Sequence, residues 1–157
     1  MIILGRGLMR AASRMSNPKR AAARVENELA TKLWEMGFAV VRGPSSGGGV
    51  RRRYQPDLLA ARRGRILVIE VKSVSGGSRV YLDPSQIVGL QEFARRAGGL
   101  PLIAVKVKGY GWRFFTLDRV ETTPKGRLKI ERISDGLRIR DLVRLVEPVE
   151  RRLDDYL

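Results

Sequence analysis

A mixed central β-sheet flanked by helices, the α/β class, is the architecture this sequence predicts, and three observations predict it. Short runs rich in Val, Ile and Leu alternate with longer segments whose apolar residues recur at helical spacing. Gly and Pro punctuate the junctions between those segments. The chain is 157 residues long and 43% hydrophobic, which suits one core and one folded unit.

The elements follow in order. Residues 1–17 carry Arg6, Arg10 and Arg14 without clear periodicity and read as a basic N-terminal arm, with Met15 as an alternative start. Pro18 suits a first helical turn with Asn17 as its cap. Val25, Leu29, Leu33 and Met36 then repeat at helical spacing, and Gly37 ends the segment. A strand is predicted over 38–42, followed by a loop over 43–53 that is rich in Gly and Ser and ends in three arginines. Strands over 56–61 and 65–71 flank a turn at Gly64. Asp83 and Pro84 open a second helix that buries Ile87, Leu90, Ala94 and Ala97 and closes at Gly98-Gly99. Strands over 101–107 and 112–117 come next, with weak pairing over 127–131. A last helix over 139–153 must kink or split at Pro148.

Composition narrows the chemistry. The chain has no cysteine, which excludes disulfides and thiolate zinc sites, and no histidine, which excludes imidazole bases and imidazole metal sites. Hydrolysis would therefore run on carboxylates, lysine, hydroxyls and a hard metal ion held through oxygen. The net charge of +15 calls for a polyanion. With no apolar run of membrane-spanning length and no basic amphipathic helix, nucleic acid is favoured over a membrane, and the protein is expected inside the cell, in the cytoplasm with the nucleoid.

The stretch that points to chemistry is Pro56-Asp57, then Glu70-Val71-Lys72. A tight turn at Gly64 makes the two strands antiparallel neighbours. Asp57 and Glu70 should then meet at one edge of the sheet, with Lys72 on the same face as Glu70. Two close carboxylates repel unless a cation lies between them, and Mg²⁺ suits that place. Asp57 could instead cap a turn, and Glu70 and Lys72 could simply form a salt bridge. Against this, Glu70 lies in the run Ile66-Leu67-Val68-Ile69-Glu70-Val71, which is apolar on both faces and implies a buried central strand. A carboxylate there is costly without a charged partner or a metal. Alone, Glu26 reads as a solvated helix acid, Ser46 as a loop residue and Gln86 as a first-turn polar residue. Arg51, Arg52 and Arg53 could be a solvated charge run or, next to Asp57, phosphate-holding residues. Trp112, Phe114 and Phe115 could stack on bases, but in a strand they read as core.

Together these residues resemble the archaeal Holliday junction resolvases of the PD-(D/E)XK nuclease superfamily. The similar segments are Val25-Glu26, the run from Gly37 to Gly47, Pro56-Asp57-Leu58-Leu59-Ala60, Ile69-Glu70-Val71-Lys72-Ser73, Gln86 with Glu92-Phe93-Ala94-Arg95, and the run from Asp141 to Glu147. The resemblance implies a restriction-endonuclease-like core over 18–157, a homodimer, and Mg²⁺-dependent cleavage of four-way junction DNA, with Mn²⁺ as a substitute. The matching catalytic positions are Glu26, Ser46, Asp57, Glu70 and Lys72, with Glu26, Asp57 and Glu70 toward the metal and Gln86 near it. Arg42 and Arg51 to Arg53 would meet DNA. Arg24 and Asn27 depart from the family pattern, which bears on phosphate contacts. Two readings stand beside resolution: another PD-(D/E)XK endonuclease of restriction or repair type, and a non-catalytic protein that binds branched DNA. Sliding-clamp or helicase binding has no legible signature here.

Overall fold

The computed structural model describes residues 17–44 and 53–147. Its first element, α1 (Pro18–Glu35), starts where proline can occupy the first turn without losing a hydrogen bond, and the Asn17 side chain accepts from the Lys19 amide at 3.0 Å. Gly37, at φ +88°, turns the chain out of the helix, as the sequence predicts.

Five strands form the main sheet: β1 (Ala39–Arg42), β2 (Leu58–Arg62), β3 (Arg65–Val74), β5 (Leu100–Val107) and β6 (Gly111–Phe115), in spatial order β1-β2-β3-β5-β6. β3 and β5 run parallel and the other neighbours antiparallel, which makes the sheet mixed. Parallel strands need a crossover, supplied here by β4 (Val80–Leu82) and α2 (Pro84–Ala97). In α2 the Asp83 side chain caps the Ser85 amide at 2.8 Å, and Gly98 closes the helix at φ +63°.

Alternate residues of the central strands feed two cores. Leu67, Ile69, Leu102 and Ala104 pack with Leu29 and Leu33 of α1 and with Leu142 and Val146 of α3 (Leu142–Val146). Val68, Ile103 and Val105 pack on the other face with Leu90 and Ala94 of α2. Each fully buried Leu or Ile contributes about 1.5–3 kcal/mol of burial. Trp112, Phe114 and Phe115 are buried, which settles their role as core. α1 is further tied to the sheet by Glu28, which accepts from Lys106 of β5 and from Trp112 Nε1 of β6 at 3.2 Å.

Several expectations are corrected. β2 begins at Leu58 rather than at residue 56, so Asp57 stands one residue ahead of the strand. β3 runs to Val74, because its last residues continue the parallel ladder with β5. β6 ends at Phe115 because Leu117 opens a 3-10 turn, Leu117–Arg119. The expected weak pairing over 127–131 is a strand, β8 (Leu128–Ile130), held between β4 and β7 (Glu121–Thr122) in a second, three-stranded sheet. The final helix is a 3-10 turn, Ile139–Asp141, followed by α3. It stops before Pro148, and Glu147 takes the extended conformation that a residue preceding proline favours. The remainder of that predicted helix, and residues 1–16 of the basic arm, lie outside the described residues. Among the described residues no helix is long and apolar enough to cross a membrane.

Candidate active site

Glu70 is the centre of the site. β3 is the middle strand of five, and Glu70 lies in its buried stretch with 3% of its surface exposed, the one buried charged residue among those described. Burial at this cost requires partners, and both carboxylate oxygens have one. Tyr54 donates its hydroxyl to Oε2 at 2.6 Å, and Lys72 Nζ donates to Oε1 at 3.1 Å. Lys72 projects from the same face as Glu70 because the strand repeats every two residues. It is held a second time, donating to Gln86 Oε1 of α2 at 2.5 Å.

Asp57 comes to Glu70 through the β2–β3 register. Leu58 pairs with Ile69, so the residue before Leu58 falls beside Glu70. The Val71 amide donates to Asp57 Oδ2 at 2.7 Å and fixes the carboxylate. The meeting point is at the start of β2 and partway along β3, in the middle of the sheet rather than at an edge as the sequence suggests. Burial first, and then the charge of Glu70, push the Asp57 carboxyl up to about 6. Burial and the Glu70 charge likewise raise Tyr54 above the ordinary phenol value, which keeps its hydroxyl a donor.

Glu26 approaches from α1. It shares with Asp57 a cavity of about 270 Å³, walled by Ala22, Gly43 and Pro56. Burial raises its carboxyl, Arg42 opposes the rise, and Glu70 adds to it. Arg42 Nη1 donates to Glu26 Oε2 at 3.4 Å, so this arginine touches an acid of the site. Arg53 is exposed and lines a larger cavity with Tyr54, Phe93 and Arg96. Ser46, Arg51 and Arg52 lie outside the described residues.

Among the described residues no three acidic side chains form a ready metal cage. What converges is the pair Asp57 and Glu70. Its donors are oxygen only, and burial, with the charge of Glu70 second, raises the proton affinity of Asp57. That fits a hard divalent cation, since Mg²⁺ typically takes one or two carboxylates and keeps several waters.

Two residues of the site escaped sequence reasoning. Tyr54 is a lone aromatic between the arginine run and Pro56, and nothing in its spacing points at Glu70. Gly43 donates its amide to the Asp57 carbonyl at 2.8 Å, and a Cβ at position 43 would lie 2.2 Å from the Pro56 carbonyl oxygen. Only glycine lets the end of β1 lie this close to the Pro56-Asp57 backbone. The Gly-Pro pair at 43–44 signals a turn but not this contact.

Comparison with known proteins places the chain as a whole in a family. The profile described as archaeal Holliday junction resolvase (Hjc) matches residues 17–151. A crossover junction endodeoxyribonuclease Hjc of Sulfurisphaera tokodaii is 36% identical over 146 residues, covering 91% of this chain and all of that relative. The protein of the same name from Sulfolobus acidocaldarius is 34% identical over the same share of each chain. The solved structure of Hjc from Archaeoglobus fulgidus, a Holliday junction resolvase from an archaeal hyperthermophile, superposes with a TM-score of 0.71 at 32% identity, covering 79% of this chain and 99% of that one.

Proposed function

Since the chain belongs to the archaeal Holliday junction resolvase family, we propose that it resolves four-way DNA junctions as a homodimer, cutting phosphodiester bonds in opposing strands with Mg²⁺, for which Mn²⁺ substitutes. It is an enzyme, a crossover junction endodeoxyribonuclease. The observation that carries the active-site reading is the buried Glu70 held beside Asp57 and Lys72.

Asp57 and Glu70 would hold the cation, and Glu26 would reach it across the shared cavity. When bound, the cation would supply an activated water and neutralise charge at the phosphorus and the leaving oxygen. Asp57 is fixed for this by the Val71 amide and Glu70 by two donors. Lys72, kept in place by Glu70 and Gln86, would offer its positive charge to the attacking water and the phosphate. Ser46 would act from its loop, and Arg51, Arg52 and Arg53 would hold phosphates beside the site. Arg42 joins them through Glu26. A two-fold dimer supplies one such site for each of the paired cuts, and the substrate places its work at the nucleoid. Residues 18–157 form the nuclease domain in this reading and 1–17 a basic arm.

The charge of +15 implies binding that weakens steeply with salt, with log K falling by about 0.9 per phosphate contact for each tenfold rise in salt. The test is cleavage of a labelled four-way junction and a linear duplex of matched sequence, in Mg²⁺ or EDTA. Symmetric cutting of the junction alone, in Mg²⁺ alone, supports the proposal. Equal cutting of both DNAs makes the chain a general endonuclease, and tight binding without cutting makes it a branched-DNA-binding protein.

A further inference from the structure

The catalytic scheme uses Glu70, Asp57, Glu26 and Lys72 but leaves Tyr54 without a task. We propose that Tyr54 is a positioning residue of the metal site: its hydroxyl, 2.6 Å from Glu70 Oε2, fixes the plane of the Glu70 carboxylate so that it meets a divalent cation preorganised. This rests on the reading of Asp57 and Glu70 as the metal-holding pair.

Glutamate has a long side chain, and its terminal carboxylate rotates freely unless both oxygens are held. Here each oxygen has its own donor, Tyr54 on Oε2 and Lys72 on Oε1. Each oxygen can accept twice, so neither bond blocks a metal. The chemistry of the two donors differs in a useful way. A second cation in Tyr54's place would cancel the charge that attracts the metal, whereas a neutral phenol orients the carboxylate and leaves its charge in place. The phenol ring is itself held. It packs directly on the α2 backbone at Gly89, where a Cβ would lie 2.4 Å from Tyr54 Cγ. The order of support is therefore Gly89, then the Tyr54 ring, then Glu70. Partners of this kind, one bond removed from a metal, are worth about 10–100-fold in metal affinity.

The test uses the full chain without DNA and Mn²⁺ as the probe, with free Mn²⁺ counted by its paramagnetic resonance signal. Wild type, Tyr54→Phe, Gly89→Ala and Glu70→Ala are titrated, and each is melted in EDTA. Tyr54→Phe keeps the ring and removes only the hydroxyl. Its Mn²⁺ dissociation constant is expected to rise about tenfold. Its melting transition should stay cooperative and its junction binding in EDTA unchanged. Cleavage by this variant should need correspondingly more Mn²⁺ to reach half its plateau. Gly89→Ala, which pushes the ring away, should weaken Mn²⁺ binding in the same direction. Adding Tyr54→Phe to it should cost nothing further. Equal Mn²⁺ affinity in wild type and Tyr54→Phe overturns the proposal. So does a loss of affinity that comes with loss of the cooperative transition, because Tyr54 would then be a structural residue only. If wild type itself binds no more Mn²⁺ than Glu70→Ala, the metal-holding pair falls, and the role of Tyr54 falls with it.

Discussion

Replacing Asp57 by asparagine should make the metal-free protein more stable at neutral pH, although it should abolish cleavage. Burial and the Glu70 charge raise the Asp57 carboxyl from 3.8 to about 6. A carboxyl whose folded value lies above its unfolded value binds its proton more tightly in the folded state. Its contribution to stability is therefore intact below about pH 4 and is lost as pH rises through about 6. Two pH units correspond to about 3 kcal/mol at 1.36 kcal/mol per unit. Asp57 is only half-buried, and solvent screening reduces this to about 1 kcal/mol. For a chain of this length that is about 2–4 °C in melting temperature. The asparagine side chain keeps an oxygen to accept from the Val71 amide, so the bond seen at 2.7 Å has a replacement. Thermal melts in EDTA should therefore show Asp57→Asn above wild type by a few degrees at pH 7.5 and level with it at pH 4. Mg²⁺ should raise wild type and not the variant. A variant that melts below wild type by the same margin at both pH values would refute this account of the Asp57–Glu70 pair.

Further outcomes follow from the same geometry. Lys72→Met keeps the aliphatic stem and removes the charge held by Glu70 and Gln86. Single-turnover cleavage should fall about 100–1,000-fold while junction binding in EDTA persists. Gly43→Ala places a methyl 2.2 Å from the Pro56 carbonyl oxygen, so the Pro56-Asp57 backbone must move. A stability loss of about 1–3 kcal/mol in denaturant titration should accompany a large loss of cleavage. Glu28→Ala removes the acceptor of Lys106 and Trp112 that ties α1 to β5 and β6. It should cost about 1 kcal/mol, read as a small drop in melting temperature, with the active-site acids still in place.

Much of this molecule is legible in its sequence, for identifiable reasons. α1 and α2 carry explicit start and stop residues, so Pro18, Gly37, Asp83 and Gly98 mark their ends. The two-faced apolar run before Glu70 announces a buried central strand, and the turn at Gly64 fixes the register that brings Asp57 to it. The small sheet is harder to read. β4 and β8 are three residues each, too short for alternation to stand out, and they pair across a long stretch of chain. Partners contributed by distant loops are harder still. The hydroxyl of Tyr54 reaches Glu70 and the Gly43 backbone reaches Asp57 through contacts made in three dimensions, which no spacing encodes. The C-terminal segment is legible only in part: its apolar periodicity suggests a helix over 139–153 that kinks or splits at Pro148. The structure begins it with a 3-10 turn instead of an α-helix and leaves α3 only five residues, ending before Pro148 as the proline requires.

Glu70, buried beside Asp57 and Lys72, is proposed to make this chain a metal-dependent junction nuclease. The decisive experiment is Glu70→Ala on a four-way junction, with cleavage and binding measured in parallel across a Mg²⁺ titration. Wild type should cut the junction symmetrically as Mg²⁺ rises, and Glu70→Ala should bind it with wild-type affinity in EDTA and leave it uncut at every Mg²⁺ concentration. Undiminished cleavage by Glu70→Ala, or wild-type cleavage that persists in EDTA, would remove Glu70 and its metal from the reaction.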